Sequence, residues 1–216
     1  MQRIVTSLKS FQLSKDVRQA VARIDRRLAG QKNVSDLLQK LYREEWIGLE
    51  HYIYMETKLR LNRICATTEK NFGGEDVSLG IYLFDQKEKR LWVGADPNVP
   101  GHYREYANGL CVASDITDED GIPEYARQIV SIPDVDSSEH LVSLNHRRDL
   151  LKANIRAFCT TPLVIGDAVI GHANLYSPSA RQWTNRDHLL LRRQVSAIEH
   201  RLLEVKERFI QAAATL

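Results

Sequence analysis

The sequence predicts an α+β fold: a central, mainly antiparallel sheet flanked by helices, with long N- and C-terminal helices that form a helix bundle. Three observations carry this reading. Apolar residues recur at steps of three and four in the first third of the chain and again at its end. Between those regions lie short runs rich in branched and aromatic residues, bounded by turn signals. No strand–helix alternation with phosphate-binding glycines breaks this order, which favours an antiparallel sheet with its helices gathered on one face.

The elements follow in chain order. Val17, Val21, Ile24 and Leu28 give a helix over Ser14–Ala29, stopped at Gly30. Ser35 is placed to cap a second, longer helix, with Leu38, Leu41, Tyr42, Leu49, Tyr52, Ile53 and Leu59 in period, ending before Gly73-Gly74. "VSLGIYLFD" (77–85) and "RLWVGAD" (90–96) read as a hairpin around "QKEK". The stretch from Pro97 to Pro133 mixes loops, short helices and a strand. "RQIVSIPDVDSS" (127–138) reads as a strand running into a loop, and "EHLVSLNHRRDLLKAN" (139–154) as a short helix with a basic end. "FCTTPLVIGDAVIGHANLYSP" (158–178) is a second hairpin turning at Gly166-Asp167. A last helix starts near Asn185. Leu191, Val195, Ile198, Leu202, Val205 and Phe209 form a heptad seam along it, which asks for a helical partner: the same helix of a second subunit, or the long N-terminal helix.

Composition excludes several classes. Hydrophobic residues make up 43%, enough for a core, and 30 basic against 28 acidic residues argue against a nucleic-acid coat. The three cysteines, Cys65, Cys111 and Cys159, are too few for a disulfide framework. The opening "MQRIVTSLKSFQ" lacks a signal-peptide core, and no run of about 18 apolar residues could span a bilayer. A cytoplasmic protein with no membrane partner is the expectation. "DITDEDG" (115–121) lacks the ligand spacing of a calcium loop, no metal site is expected, and "HRRDLLK" (146–152) reads as helix-end surface. The N-terminal basic residues alternate with Asp16, Asp25 and Asp36, which suits helix packing better than DNA binding.

In order, an apolar helix leading into "SLGIYLFD", then "GLCVAS" (109–114), "IVSIPDV" (129–135) and "FCTTPLVIGDAVIGHANLYSPSARQWTNRDHLLL" (158–191) resemble a GAF domain, a PAS-related small-molecule sensor. The resemblance covers about residues 50–205. It implies a helical extension over 1–70, a sensor domain over 71–205 and a C-terminal helix over 185–216. It also implies a ligand between the sheet and the loop-rich face, with a signal passed through dimeric helices to a separate output protein. The ligand-binding candidates are Trp92, Tyr103, Asp134, Asp136, His140, His146, Arg156, Thr161, His172 and Asn174. His172 and Asn174 share one strand face, opposite Ala173. A ligand-free dimerisation or protein-interaction module is the alternative, and filling of the pocket by Tyr103, Tyr106 or Phe158 would favour it. No cofactor is specified. Ser177-Pro178 stand where cyclic-nucleotide-binding relatives carry Asn-Lys, and neither Cys111 nor Cys159 has the neighbours of a bilin-attachment cysteine. A haem would need an axial histidine such as His102, His140 or His146, and their spacing selects none. "NGLCVAS" is also similar to an element of the free methionine-sulfoxide reductases, which implies a redox Cys111 resolved by Cys159. Val112 departs from that pattern. Independently of any ligand, Gly171 suits a close backbone approach, Thr184 with Asp187 suits a capping box, and Trp183 is placed to staple the last helix to the core.

Overall fold

The computed structural model describes residues 33–72, 76–111, 128–138 and 144–215. The helix expected over Ser14–Ala29, the 115–121 turn and His140 lie outside these residues. Among the described residues, β1 (Ser78–Asp85), β2 (Arg90–Ala95), β3 (Leu110–Cys111), β4 (Val130–Ile132), β5 (Ala157–Ile165) and β6 (Ala168–Ser177) form one sheet. Its order is β3-β2-β1-β6-β5-β4, with every neighbouring pair antiparallel. Both expected hairpins are present. Asp85 Oδ1 accepts from the backbone N–H groups of Lys87 (3.0 Å) and Glu88 (3.1 Å), which closes the first. Gly166 turns the second at a φ of 59°, a left-handed conformation that glycine adopts without strain.

Helices α1 (Asn33–Arg43), α2 (Leu49–Asn71), α3 (Gly101–Ala107), α4 (Leu144–Lys152), α5 (Asn185–Ser196) and α6 (Glu199–Thr215) flank this sheet. They lie on both faces rather than one. Cross-strand partners share a face, so Leu79, Ile81 and Leu83 of β1 point the same way as Cys159 and Leu163 of β5 and Ala173 and Leu175 of β6. That face forms a core with Cys65 of α2, Leu191 and Val195 of α5, and Leu202 and Phe209 of α6. Tyr82, Phe84, Leu91, Val93, Phe158 and Tyr176 point the other way and pack on Tyr103, Ala107, Leu150 and Ala153 around the short helices α3 and α4.

Two helices expected to be continuous are broken. The second begins at Asn33, before Ser35, and stops after Arg43. There Glu45 takes a φ of 58°, and Trp46 N–H bonds back to the Leu41 carbonyl at 2.9 Å. Gly48 then starts α2 from an extended conformation. The break folds α1 back on α2: Val34, Leu38, Ile47, Met55 and Leu59 form a small core, and Tyr42 stacks on Tyr52 with centroids 4.8 Å apart. The C-terminal helix breaks at Ala197–Ile198 into α5 and α6.

The heptad seam is covered within the chain. Leu191, Val195, Ile198, Leu202 and Phe209 are buried against the sheet and α2, with Phe209 stacked on Tyr54 at 4.9 Å. Val205 is half-buried and lines a groove of about 310 Å³ between α2 and α6. The seam therefore meets α2 of its own chain, with Ile198 and Leu202 reaching the same groove as Val205.

Local chemistry fixes the sheet–helix junction. Thr184 Oγ1 accepts from Asp187 N–H (3.2 Å) while Asp187 Oδ2 accepts from Thr184 N–H (2.8 Å), a complete capping box. Arg181 bonds the same carboxylate and lies over the Trp183 ring at 4.4 Å. A Cβ on Gly171 would collide with the Tyr82 carbonyl of β1, so β6 approaches β1 more closely there than a side chain allows. Gly171→Ala should therefore lose about 3 kcal/mol of stability in urea unfolding, and Thr184→Ala about 1 kcal/mol. A Gly171→Ala protein as stable as the original would show that the approach is not tight.

Candidate functional site

The candidate site is the sheet face beneath α3 and α4. Along β6, His172, Asn174 and Tyr176 share that face, and strand pairing sets Tyr82 of β1 beside His172 and Phe158 of β5 beside Tyr176. Tyr103 and Tyr106 of α3 and His146 of α4 close over them. The groups form one connected network. Asn174 Nδ2 donates to the Tyr176 hydroxyl at 2.9 Å, and that hydroxyl donates to the Tyr82 hydroxyl at 2.9 Å. Tyr103 meets Tyr176 edge to face at 5.7 Å, and its hydroxyl pairs with His146 Nε2 at 3.0 Å. The His172 ring lies 5.8 Å from that of Tyr82. Gly80 makes room for the Tyr82 ring, because a Cβ there would sit 2.7 Å from it.

Burial decides the protonation states. It pushes the Tyr82 and Tyr176 phenols well above their ordinary range, and it lowers His172 to about 4. Burial also lowers His146, partly opposed by Asp149. At neutral pH these groups are uncharged. Asn174 Oδ1 is buried with no hydrogen-bond partner, as is Arg147 Nε on α4. A groove of about 480 Å³ opens beside Tyr176, walled by Ser78, Asn98, Pro100, Ala153 and Asn154.

Four of the expected ligand residues come together here: Tyr103, His146, His172 and Asn174. The others do not. Trp92 pairs with Leu83 and Thr161 with Ala173, so both point to the opposite, helix-packed face. Asp134 bonds its own loop, accepting from Asp136 N–H at 3.1 Å and Ser137 Oγ at 3.0 Å. Asp136 pairs with Arg156 at 3.7 Å, both substantially exposed. His102 is exposed on α3. Tyr82 and Tyr176, the centre of the network, were not among the candidates. Tyr176 shares parity with His172 and Asn174 and could have been found, whereas Tyr82 needed the β1–β6 pairing.

The redox pairing fails on geometry. Cys111 is on β3 and Cys159 on β5, with β2, β1 and β6 between them. Four strand spacings make about 19 Å, far beyond disulfide reach. Burial also pushes the Cys159 thiol up to about 12, with its Sγ 3.2 Å from His188 Nδ1. Among the described residues, no group of three or more His, Cys, Asp or Glu side chains is arranged to hold a metal ion, and no helix is long and apolar enough to cross a membrane.

The family model described as the GAF domain matches residues 57–199, well over half of the 216. The chain belongs to the GAF domain family. No curated protein sequence matches it. Solved structures with a similar fold include a domain of a two-component sensor histidine kinase protein from Sinorhizobium meliloti 1021, at 14% identity over 70% of this chain and 94% of that one, TM-score 0.55. A GAF domain/HD domain protein from Geobacter sulfurreducens matches at 16% identity over 69% and 94%, TM-score 0.54. The blue-light absorbing form of the Thermosynechococcus elongatus PixJ GAF domain matches at 17% identity over 76% and 96%, TM-score 0.53. These identities establish the fold, and the side chains of this GAF domain must be read on their own.

His172 makes the GAF domain sensitive to acid. Its folded value, about 4, lies below the unfolded one near 6.5, so the unfolded chain takes up the proton first. The stability tied to neutral His172 is complete above pH ~6.5 and declines as pH falls towards ~4, by a total on the order of 3 kcal/mol. Urea unfolding across that interval should show the decline, and His172→Phe should flatten it. An equal slope in both proteins would assign the effect elsewhere.

Proposed function

We propose that this GAF domain is a signalling sensor that binds a small molecule between the sheet and helices α3 and α4. The observation that carries the reading is Asn174 Oδ1, a buried acceptor without a partner at the end of a hydrogen-bonded chain through Tyr176 and Tyr82. A protein rarely leaves such a group unpaired, because desolvating it costs about 1–3 kcal/mol, and a ligand donor would satisfy it. The groove beside Tyr176 supplies an approach. Proteins of the same fold include a domain of a sensor histidine kinase protein, a GAF domain/HD domain protein and a blue-light absorbing GAF domain, which supports a sensory role with output in a separate domain or partner.

The sensor domain spans 71–205, with a helical extension over 1–70 and a C-terminal helical segment over 185–216. Signal output runs through the helices that continue from β6. In a homodimer, contact falls to apolar groups left in the open, such as Leu37, Trp46 and Leu49 at the α1–α2 corner and Leu203 on α6, because the heptad seam is covered. A second reading has its own observation. Tyr103 and Phe158 are buried inside the site, as expected of a ligand-free interaction module.

Native mass spectrometry of the full chain after exposure to a metabolite extract separates the two. A sensor should carry a small-molecule adduct that Asn174→Leu removes. The absence of any adduct leaves the interaction module, and Tyr103→Ala should then cost about 3–5 kcal/mol as an ordinary core truncation.

A further inference from the structure

The chemistry of the site restricts what it can hold. The groups that form its interior, Tyr82, Tyr103, His146, His172, Asn174 and Tyr176, carry no formal charge at neutral pH. Charges at its margin are engaged elsewhere. Arg104 lies 2.6 Å from the Asp96 carboxylate, Arg156 lies 3.7 Å from Asp136, and Lys152 lies 3.6 Å from Asp149. Arg147 donates through Nη2 to the Ser138 carbonyl, while its Nε is buried without a partner. An ionic ligand over Asn174 would lose its hydration without meeting a counter-ion in that network.

The unsatisfied group is an acceptor, so the ligand must bring a donor. Asn174 Nδ2 already gives one of its two protons to Tyr176, whereas Oδ1 has no partner at all. Beside it, the Tyr82 hydroxyl accepts from Tyr176 and keeps its own proton to give. The surrounding rings offer faces and edges to a flat partner.

Building on the sensor reading above, we infer that the ligand is a neutral, planar ring compound with an N–H donor for Asn174 Oδ1 beside an acceptor for Tyr82, the edge of a lactam or carboxamide, and that its anionic counterparts are excluded. The class covers free nucleobases and pyridine carboxamides and leaves out their phosphorylated or carboxylated forms.

Matched pairs test this on the full chain: uracil against orotate, nicotinamide against nicotinate, and hypoxanthine against inosine 5′-monophosphate, by calorimetry and thermal unfolding. The neutral member of at least one pair should bind at least ~10-fold more tightly than its anionic twin. Asn174→Leu should weaken that binding by ~10-fold or more. Should Asn174→Leu fail to fold, salt gives a second readout. Affinity of the neutral ligand should change by less than ~2-fold between low and high ionic strength, whereas an anion held by a cation weakens with salt. Equal or tighter binding of the anionic members, above all if Arg147→Gln removes it, overturns the inference and leaves the sensor reading intact. No binding by any of the six also overturns it, and the metabolite-extract experiment then decides the sensor reading by itself.

Discussion

Strand β6 is covered on both faces, and the molecule's organisation follows from that. It lies between β1 and β5, with α2, α5 and α6 on one side and α3 and α4 on the other. Most side chains in its central part are shut off from water, Asn174 being partly exposed, so their polar groups need partners inside the protein. Alternation divides the strand into two tasks. Ala173 and Leu175 join the larger apolar core, while His172, Asn174 and Tyr176 enter a polar cluster. Gly171 belongs to the same constraint, since β6 is pressed against the Tyr82 backbone where any Cβ would collide.

Burial on both faces also accounts for the neutrality of the cluster. Polar groups enter an interior at low cost only when uncharged and hydrogen-bonded. Tyrosine and asparagine meet this demand through the Asn174–Tyr176–Tyr82 chain, and His172 meets it by giving up its proton. Tyr103 and His146 pair in the layer above. The exception is Asn174 Oδ1. Among the Asn174, Tyr176 and Tyr82 side chains, which bond one another, Asn174 Oδ1 is the buried atom left without a partner.

Local signals were legible in the sequence, and distant pairings were not. The two hairpins and the Thr184–Asp187 capping box depend on residues near one another in the chain, and all are present, while Gly171 stood out by its residue type alone. The β1–β6 pairing joins residues about ninety positions apart, and without it Tyr82 had no reason to be associated with His172. Helical periodicity misled for a related reason. The apolar period runs through residues 44–48 and through Ala197–Ile198, yet both helices break there. A three-to-four repeat records which side chains are buried. It does not record whether the axis bends, and folding α1 onto α2 buries Leu38 and Leu59 of that repeat while leaving Leu49 exposed. The seam on α5 and α6 shows this directly, since α2 takes the partner's place. Trp92 and Thr161 were misplaced by a simpler gap: which parity of β2 and β5 faces the site depends on the register with β1 and β6.

The route from the site to the helices is short and stiff at its start. β6 ends at Ser177, and the capped start of α5 follows at Thr184. Within that connection, Arg181 N–H bonds the Pro133 carbonyl (2.9 Å) while its side chain holds both Asp187 and the Trp183 ring. Pro133 opens the loop that carries Asp134 and Asp136, and Val135 N–H bonds the Arg156 carbonyl at the start of β5 (2.7 Å). One residue thus ties together the loop after β4, the end of β6 and the first turn of α5. The helix breaks further on, at Ala197–Ile198, where α5 gives way to α6 and α6 rests on α2. Under the sensor reading proposed above, this tied junction followed by a break in the helix would let a displacement of β6 move α5 as a unit and change its angle against α6.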